Sequence, residues 1–420
     1  MSSTQAPSVL RLGILGGANI ARQFTRDVRP SKTVRVVAVA SRSAENARAF
    51  AEANDIEKSF GTYDSMLASQ DIDAVYIPLP NSLHAEWAIK AAEHGKHILC
   101  EKPLALDRDE AERMFDAADR NGVMLLESFP YYFQPQTAEM MSLIGEGAIG
   151  DVRAIQASFG FTVGNPGANI RMKPELSGGA LLDAGSYPLS LIRIVMGCAP
   201  QRVDAIATWA DSNVDISLMA TLIYADGRRA QVSCSMDAAN HRHATIIGTQ
   251  GTIETEYLNH TSDRTSGHPY GYLPSQLRVR RGIPNSVAFD LVTSESGSGF
   301  LFAAESFARM IATNDTAAIE YYAQASLDNA AMLARDHRER ARREERHALK
   351  RQRRSRAVGR VTSHRDEAQR LTITTSRYSP GTTSDDVPAV LQQSSSAAIS
   401  RSSSACLAGS SAANARCVGP

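Results

Sequence analysis

A short apolar strand near the start of the chain runs into a glycine-containing turn and then into a helix, a combination that few folds accommodate. Leu10–Leu15 form the apolar run, and Gly16-Gly17-Ala18-Asn19-Ile20-Ala21 follows it directly. This is the G-x-G-x-x-A layout of a dinucleotide-binding turn, with Ala18 at the position of the second glycine. In that layout a diphosphate rests on the helix N-terminus, where free N–H groups and the helix dipole favour anions. The turn therefore predicts a Rossmann nucleotide site in an α/β fold.

The end of the second predicted strand indicates which nucleotide this turn accepts. Val34–Ala40 is followed by Ser41-Arg42-Ser43 and then by a helix from about Ala44 to Asn54. Sites selective for NAD normally carry an Asp or Glu here, which accepts a hydrogen bond from the ribose 2′-hydroxyl. Two hydroxyls and a guanidinium suit a 2′-phosphate instead, because arginine binds phosphate in a bidentate way. We predict NADP as the preferred cofactor, with NAD possible if Arg42 is only a surface charge.

Composition divides the 420 residues into three parts. Residues 1–128 alternate short apolar runs with helical patterns, which is typical of a doubly wound parallel sheet. Residues 129–334 form the second part, in which we expect one helical segment between Asp151 and about Leu333 among many short strands. The predicted strands there are Val152–Phe161, Val203–Trp209, Ile216–Tyr224 and Ala230–Met236. Their alternating patterns predict an α/β domain on a largely antiparallel sheet with one open face.

The third part, residues 335–420, differs from both others. Between Arg335 and Arg356, eleven Lys and Arg residues stand against four acids, and Ser, Thr, Ala and Arg dominate beyond that run. Such a segment buries too little apolar surface to offset its ordering entropy, so we expect it to be disordered. The basic run fits a nucleic-acid-binding arm or a solvated extension of the last helix, and we favour the second interpretation.

The remaining composition excludes several classes of function. Lys and Arg number 45 and so do Asp and Glu, so the chain as a whole lacks the basic field that gripping nucleic acid or an anionic membrane requires. No apolar run approaches the roughly 20 residues that span a bilayer. The five cysteines are scattered without metal-type spacing, so we expect no metal site and a reducing, cytoplasmic location. We therefore expect neither a nucleic-acid nor a membrane partner.

A lysine between an acid and a proline marks the predicted centre of the chemistry. The strand Asp73–Ile77 ends in Pro78-Leu79-Pro80-Asn81-Ser82-Leu83-His84, and the next strand, His97–Cys100, runs straight into Glu101-Lys102-Pro103. Open parallel sheets bind their ligands at the carboxyl ends of their strands, where both segments lie. We expect His84 either to contact the nicotinamide end of the cofactor or to satisfy its own loop.

These segments together resemble the glucose–fructose oxidoreductase/inositol dehydrogenase (Gfo/Idh/MocA) family over about residues 10–335. The resemblance is carried by Gly16–Ala21, Pro78–His84, Glu101-Lys102-Pro103, Glu127–Pro135 and Ser177–Gly197. Asn169-Ile170-Arg171 and the tyrosine at position 187 are most similar to the NADP-dependent D-xylose 1-dehydrogenase and dihydrodiol dehydrogenase branch. Two positions depart from the family pattern: Tyr132 stands where many relatives have Arg, and Gln134 where they often have His.

The resemblance implies a Rossmann domain joined to an α/β domain, with the substrate between the open-faced sheet and the nicotinamide. It makes Lys102 the catalytic lysine and Tyr187 the acid/base, on the helix that carries Asp183. The residues support these roles, because a tyrosine, with a pKa of about 10, is a poor base until a nearby ammonium favours its phenolate. Asp183 then orients Lys102 or a sugar hydroxyl. The alternatives are a surface lysine, a core tyrosine and a helix-capping aspartate.

The predicted site has two parts. The cofactor-binding residues are Gly16, Ala18, Asn19, Ile20, Ser41, Arg42, Pro78, Asn81, His84, Glu101 and Lys102, and the substrate-binding residues are Asn169, Arg171, Asp183 and Tyr187. The expected reaction is reversible hydride transfer between the nicotinamide and a hydroxyl or carbonyl of a sugar or polyol, and we favour oxidation of an aldose to its lactone. Reduction of a keto-sugar, oxidation of a dihydrodiol and a non-catalytic NADP-binding regulator remain alternatives. The open sheet face predicts a homodimer or homotetramer.

Overall fold

The computed structural model describes residues 9–257, 259, 275–295 and 297–334. The strands in this range are β1 Leu10–Leu15, β2 Val34–Ala40, β3 Lys58–Phe60, β4 Ala74–Ile77, β5 His97–Glu101, β6 Leu125–Ser128, β7 Val152–Thr162, β8 Arg202–Trp209, β9 Asp215–Ile223, β10 Arg229–Ser235, β11 Asp237–Gly248, β12 Gly251–Thr255, β13 Ser275–Arg281 and β14 Asp290–Ser294. The helices are α1 Asn19–Val28, α2 Ala44–Ala53, α3 Tyr63–Leu67, α4 His84–Glu93, α5 Arg108–Arg120, α6 Pro135–Gly145, α7 Ser186–Met196, α8 Gly299–Thr313 and α9 over residues 316–334.

The first sheet has six parallel strands in the order β3-β2-β1-β4-β5-β6. Its central strands are buried on both faces, as Leu12, Ile14 and Leu15 of β1 show. Burial on both faces explains why these strands read as continuous apolar runs rather than as alternating ones. The strand order reverses between β1 and β4, and ligands of such sheets bind at the carboxyl ends of the strands beside this point. The predicted Rossmann domain is confirmed.

The second sheet has eight strands in the order β14-β13-β12-β11-β7-β10-β9-β8. Only the β7–β10 pair is parallel within this sheet, and the other neighbours are antiparallel. Side chains at alternating positions, such as Ile155, Ala157, Ala244 and Ile246, point into a core shared with α7. The side chains between them are on the opposite face, which carries the exposed Ile206. The predicted, largely antiparallel sheet with one open face is confirmed.

The prediction of one helical segment between Asp151 and Leu333 is wrong, because α7, α8 and α9 all lie there. The apolar side chains of α8 recur at helical spacing, and Phe300, Ala304 and Phe307 join the core around β1 in the Rossmann domain. The predicted disordered part, residues 335–420, lies outside the described residues. In the part of the chain that the structure describes, no helix is both long enough and apolar enough to cross a membrane.

Candidate active site

Lys102 lies at the carboxyl end of β5, directly after Glu101, and the peptide bond to Pro103 is cis. The buried Glu101 carboxylate accepts hydrogen bonds from the Tyr76 hydroxyl at 2.6 Å and from the Lys102 backbone N–H at 3.3 Å. Burial raises the pKa of Glu101, and the Lys102 ammonium acts against that rise. The strand end therefore holds the start of the loop in place and directs the lysine side chain toward the second sheet.

The Lys102 ammonium is paired with Asp183. Its Nζ atom donates to Asp183 Oδ1 at 2.9 Å and to the Asp183 carbonyl at 3.1 Å, while Arg171 Nε donates to Asp183 Oδ2. Burial by itself would raise the pKa of Asp183, but Lys102 and Arg171 outweigh it and hold that pKa at about 2. Burial would lower the pKa of Lys102, but Asp183, Tyr187 and Glu101 raise it on balance. The pair is thus an ammonium and a carboxylate near neutral pH.

The glycines before Asp183 explain how its side chain reaches Lys102. The chain enters α7 through a π-helical turn, Leu181–Gly185, and Asp215 accepts from the first N–H of that turn at 2.6 Å. Gly179 has a φ of +116°, and a Cβ there would overlap the Asp215 carboxylate. Because the turn precedes the helix proper, the Asp183 side chain points to Lys102 and does not cap α7.

Tyr187 lies one turn after Asp183, on the side of α7 that faces Lys102. Tyr187 is 6% exposed, and the Lys102 Nζ atom is 4.8 Å from its ring centroid. The rings of Phe129, Tyr131 and Phe159 surround it at centroid distances of 5.2–6.1 Å. The structure thus brings Lys102, Asp183 and Tyr187 together, at the seam where β5 meets the second sheet.

The loop after β4 braces this seam. His84, 1% exposed, has both ring nitrogens 2.9 Å from backbone carbonyls, those of Leu79 and Pro103. Of the two expectations for His84, the geometry therefore favours the one in which it satisfies its own loop. Burial lowers the pKa of His84. Asn81 donates to the Ser177 carbonyl at 2.9 Å, which ties the loop to the glycine turn before Asp183, and Pro78 is buried at the end of β4.

The turn after β1 fits a dinucleotide. Gly16 has a φ of +104°, and a Cβ on Gly17 would lie 2.9 Å from the Phe50 ring. Helix α1 starts at Asn19, after Ala18, with no side-chain cap and no acidic residue in its first turn. The first N–H groups of α1 are thus open to an anion. Side chains cap α2, α3 and α5, whereas α4, α6 and α7 lack a side-chain cap as α1 does. Ser41 lines an adjacent cavity of about 320 Å³ with Gly17, Arg22 and Phe50.

Two family models match the chain. Residues 10–129 match the oxidoreductase family with an NAD-binding Rossmann fold, and residues 137–254 match the C-terminal domain of the same Gfo/Idh/MocA family. The chain belongs to the Gfo/Idh/MocA oxidoreductases. It is accordingly an oxidoreductase, and the predicted family is confirmed.

Relatives within the Gfo/Idh/MocA family act on sugars and related diols. The chain is 36% identical to D-xylose 1-dehydrogenase (NADP(+)) 2 of Haloferax volcanii, over 58% of this chain and 75% of the relative. It is 34% identical to trans-1,2-dihydrobenzene-1,2-diol dehydrogenase of Danio rerio, over 58% and 74%. The crystal structure of a 3-ketoreductase from Actinomadura kijaniata with NADP and TDP-benzene is 28% identical and superimposes with a TM-score of 0.67, over 78% of this chain and 96% of that one.

The two departures from the Gfo/Idh/MocA pattern form contacts of their own. The Tyr132 hydroxyl accepts from Asn329 of α9 at 3.2 Å. Gln134 donates to the backbone carbonyls of Asn259 and Gly297, at 2.8 and 3.1 Å. Tyr132 is therefore connected to α9, and Gln134 to the residues that precede α8.

Sequence reasoning missed Arg242 and Asn259, which both contact Tyr187. The Arg242 guanidinium carbon is 4.4 Å from the ring centroid, and Asn259 donates to the Tyr187 hydroxyl at 2.9 Å. The signal that could have identified Arg242 is its alternation with Ala244 and Ile246, which places an arginine on the inward face of a strand. Of the predicted substrate residues, Arg171 reaches the cluster, whereas Asn169 bonds within its own loop to the Arg171 N–H and the Gly164 carbonyl.

Proposed function

We propose that this oxidoreductase transfers hydride reversibly between NADP and a hydroxyl or carbonyl group of a sugar or polyol, and that its main reaction oxidises an aldose at C1 to the lactone. The observation that carries the proposal is the ion pair of Lys102 with Asp183, 4.8 Å from the Tyr187 ring, at the carboxyl end of β5. Oxidation of a carbinol needs a proton acceptor beside the carbon that loses hydride, and this cluster supplies one.

Each residue of the cluster has a distinct proposed task. The bound nicotinamide supplies the hydride acceptor. Tyr187 takes the hydroxyl proton during oxidation and returns it during reduction. The Lys102 ammonium, 4.8 Å from the Tyr187 ring centroid, donates a hydrogen bond to the reacting oxygen. Asp183 holds Lys102, while Arg171 and Asn169 contact the substrate from the loop before the glycine turn.

Other predicted cofactor residues directly follow the carboxyl ends of β1 and β2 in the first sheet. We propose that Gly16, Ala18, Asn19 and Ile20 receive the diphosphate at the uncapped start of α1. Ser41 and Arg42 directly follow β2, and Arg42 is exposed to solvent. They suit the 2′-phosphate of NADP, with NAD as a weaker alternative. We also propose that the division between cofactor and substrate domains falls near residue 128.

A keto-sugar reductase is the second candidate, because the 3-ketoreductase structure from Actinomadura kijaniata covers 78% of this chain. Dihydrodiol oxidation is supported by the relative from Danio rerio. All three reactions use the same proton and hydride positions, so the substrate alone separates them. A panel of aldoses, inositols, keto-sugars and dihydrodiols, followed at the NADPH and NADH absorbance, decides among them. Turnover of no member would favour a cofactor-binding regulator.

Replacing Lys102 with Ala tests the catalytic assignment. The ammonium is lost from the reacting oxygen, so kcat should fall by about 10³-fold, within the range of general acid–base effects. The dissociation constant of NADP, measured by fluorescence titration, should change by less than about threefold because the phosphate contacts lie elsewhere. Lys90→Ala is a matched control, since Lys90 pairs with Glu86 on the surface of α4. Full activity of Lys102→Ala would refute the assignment.

We propose that the open face of the second sheet pairs with a second copy of this chain, as a homodimer or homotetramer. Its groove of about 550 Å³ is lined by Ile206, Met219 and neighbouring polar side chains. The exposed fractions of these two apolar residues, 75% and 69%, are high for a face that stays in water. Met219→Asp should shift the sedimentation mass to that of the monomer, and a monomeric wild type would refute the proposal.

We place the protein in the cytoplasm, where the exposed thiol of Cys198 stays reduced.

A further inference from the structure

Two side chains outside the proposed catalytic set form a chain of hydrogen bonds that ends at the Tyr187 hydroxyl. Arg242 Nη2 donates to Asn259 Oδ1 at 3.3 Å, and Asn259 Nδ2 donates to Tyr187 Oη at 2.9 Å. Arg242 comes from β11 and Asn259 from the segment after β12, so neither belongs to the elements that carry Lys102 or Asp183.

Sheet register places Arg242 beneath the tyrosine. Arg242 is directly opposite Phe159 of β7, on the face that packs against α7. Its guanidinium lies 4.4 Å from the Tyr187 centroid and 4.8 Å from those of Phe159 and Tyr257. The Nε atom is buried and, among the described residues, has no hydrogen-bond partner. The aromatic faces therefore replace water around the cation, which favours one fixed orientation.

Asn259 is held by its backbone as well as its side chain. Its carbonyl accepts from Gln134 Nε2 at 2.8 Å and from the Gly299 N–H at 2.7 Å. Gln134 precedes α6 and Gly299 begins α8, so two separate elements fix the position of this residue. The amide of Asn259 thus faces Tyr187 from a braced backbone.

The direction of each hydrogen bond follows from the chemistry of the groups. A guanidinium only donates, so it selects the amide oxygen of Asn259 and turns the amide nitrogen toward Tyr187. An amide N–H also only donates, so the Tyr187 oxygen must accept there. The phenolic proton then has to point away from Asn259.

We propose that Arg242 and Asn259 are positioning residues that orient the Tyr187 hydroxyl, so that its proton faces the substrate and its phenolate form is stabilised from behind. This inference rests on the proposed function, in which Tyr187 exchanges a proton with the substrate. In reduction the Tyr187 hydroxyl donates its proton toward the substrate carbonyl, and in oxidation the Tyr187 phenolate takes the proton of the substrate hydroxyl while Asn259 donates to the phenolate oxygen. The amide itself transfers no proton.

Two substitutions at position 259 separate this role from a structural one. Asn259→Asp keeps the size and adds an ion pair with Arg242, but a carboxylate accepts the phenolic proton and directs it away from the substrate. Asn259→Ala removes the bond without reversing it. We expect kcat to fall about tenfold in Asn259→Ala and at least 100-fold in Asn259→Asp, with KM values changed by less than about threefold. The thermal midpoint of Asn259→Asp should equal or exceed that of Asn259→Ala.

A purely structural role predicts the opposite order, because the isosteric, ion-paired Asp preserves more of the fold than Ala does. Activity of Asn259→Asp equal to or above that of Asn259→Ala would therefore overturn the proposal. Asn285→Asp is the matched control, since Asn285 also accepts from an arginine, Arg280, at 3.4 Å but on the surface. Arg242→Lys should retain more activity than Arg242→Gln, whose own amide can bond to Asn259 in either orientation.

A spectroscopic measurement keeps the inference separate from the proposed function. The phenolate absorbance of Tyr187, obtained as the difference between each protein and its Tyr187→Phe variant, requires no substrate. Among the described residues, the charged and titratable groups that interact with Tyr187 or lie in its cluster include Lys102, Arg171, Asp183, Arg242, Tyr76, Tyr131 and Tyr257. Asn259→Asp leaves all of them in place, so the alkaline rise should move to higher pH because of the new carboxylate and the reversed bond. An unchanged titration overturns the inference, whereas failure of every sugar in the substrate panel overturns only the function.

Discussion

Replacing Asp183 with Asn should destabilise the fold, because it leaves two cations in one pocket without their counter-charge. The exposed fractions of the Lys102 and Asp183 side chains are 10% and 18%, so water screens the pair only weakly. In the folded protein the pKa of Asp183 is about 2, against an ordinary value of 3.8. That lowering, at about 1.36 kcal/mol for each pH unit, corresponds to about 2 kcal/mol of stability at neutral pH.

The pH dependence of this contribution has a definite sign. Because the pKa is lower in the folded protein than in the unfolded chain, the stabilisation is complete above about pH 4 and is lost as the pH falls through 2. At pH 7 the thermal midpoint of Asp183→Asn should therefore be roughly 4–8 °C below that of the wild type, at about 2–4 °C per kcal/mol. The difference between the two proteins should shrink as the pH is lowered from 4 toward 2.

Thermal and urea unfolding, followed by circular dichroism, measure this difference directly. Asp226→Asn provides the control, since the Asp226–Arg228 pair lies on an exposed hairpin turn and such pairs contribute about 0–1 kcal/mol. If Asp183→Asn were as stable as the wild type at pH 7, Lys102 and Arg171 would not depend on the carboxylate. The assignment of Asp183 as the anchor of Lys102 would then be refuted.

Three further substitutions test other parts of the site. Burial raises the pKa of Glu127 to about 7, so the wild type should lose about 3 kcal/mol relative to Glu127→Gln in urea unfolding as the pH rises from 4.5 to 8; a constant difference would contradict this. Gly179→Ala combines a left-handed φ with overlap at Asp215, and should lower stability by at least about 2 kcal/mol in the same assay, whereas Gly147→Ala, where a Cβ meets open space, should lower it less. Arg42→Ala should raise KM for NADP by about 10-fold or more while KM for NAD changes by less than about threefold, and an equal rise for both would exclude 2′-phosphate recognition by Arg42.

Much of the first domain follows from local pattern. The predicted strands at Leu10–Leu15 and Val34–Ala40 agree with the structure residue for residue. Strand, turn and helix are set there by neighbours in the chain, through apolar runs, a glycine with positive φ and an uncapped helix start. The same holds for the predicted placement of Lys102 at a strand end, because the carboxyl ends of parallel strands lie at one edge of the sheet. The π-helical turn before α7 is different, since it depends on Asp215 from a later strand.

The contacts of the site come from residues that are distant in the chain. Lys102 and Asp183 are 81 positions apart, and Asn259 is 72 positions from Tyr187. Arg242 reaches Tyr187 because β11 pairs with β7 in the one register that sets it opposite Phe159. Side chains alternate between the faces of a sheet, so a shift of one residue would turn Arg242 to the open face and empty the space behind the tyrosine. Pattern in the chain thus specifies which residues can do the chemistry, and long-range strand pairing specifies which of them meet.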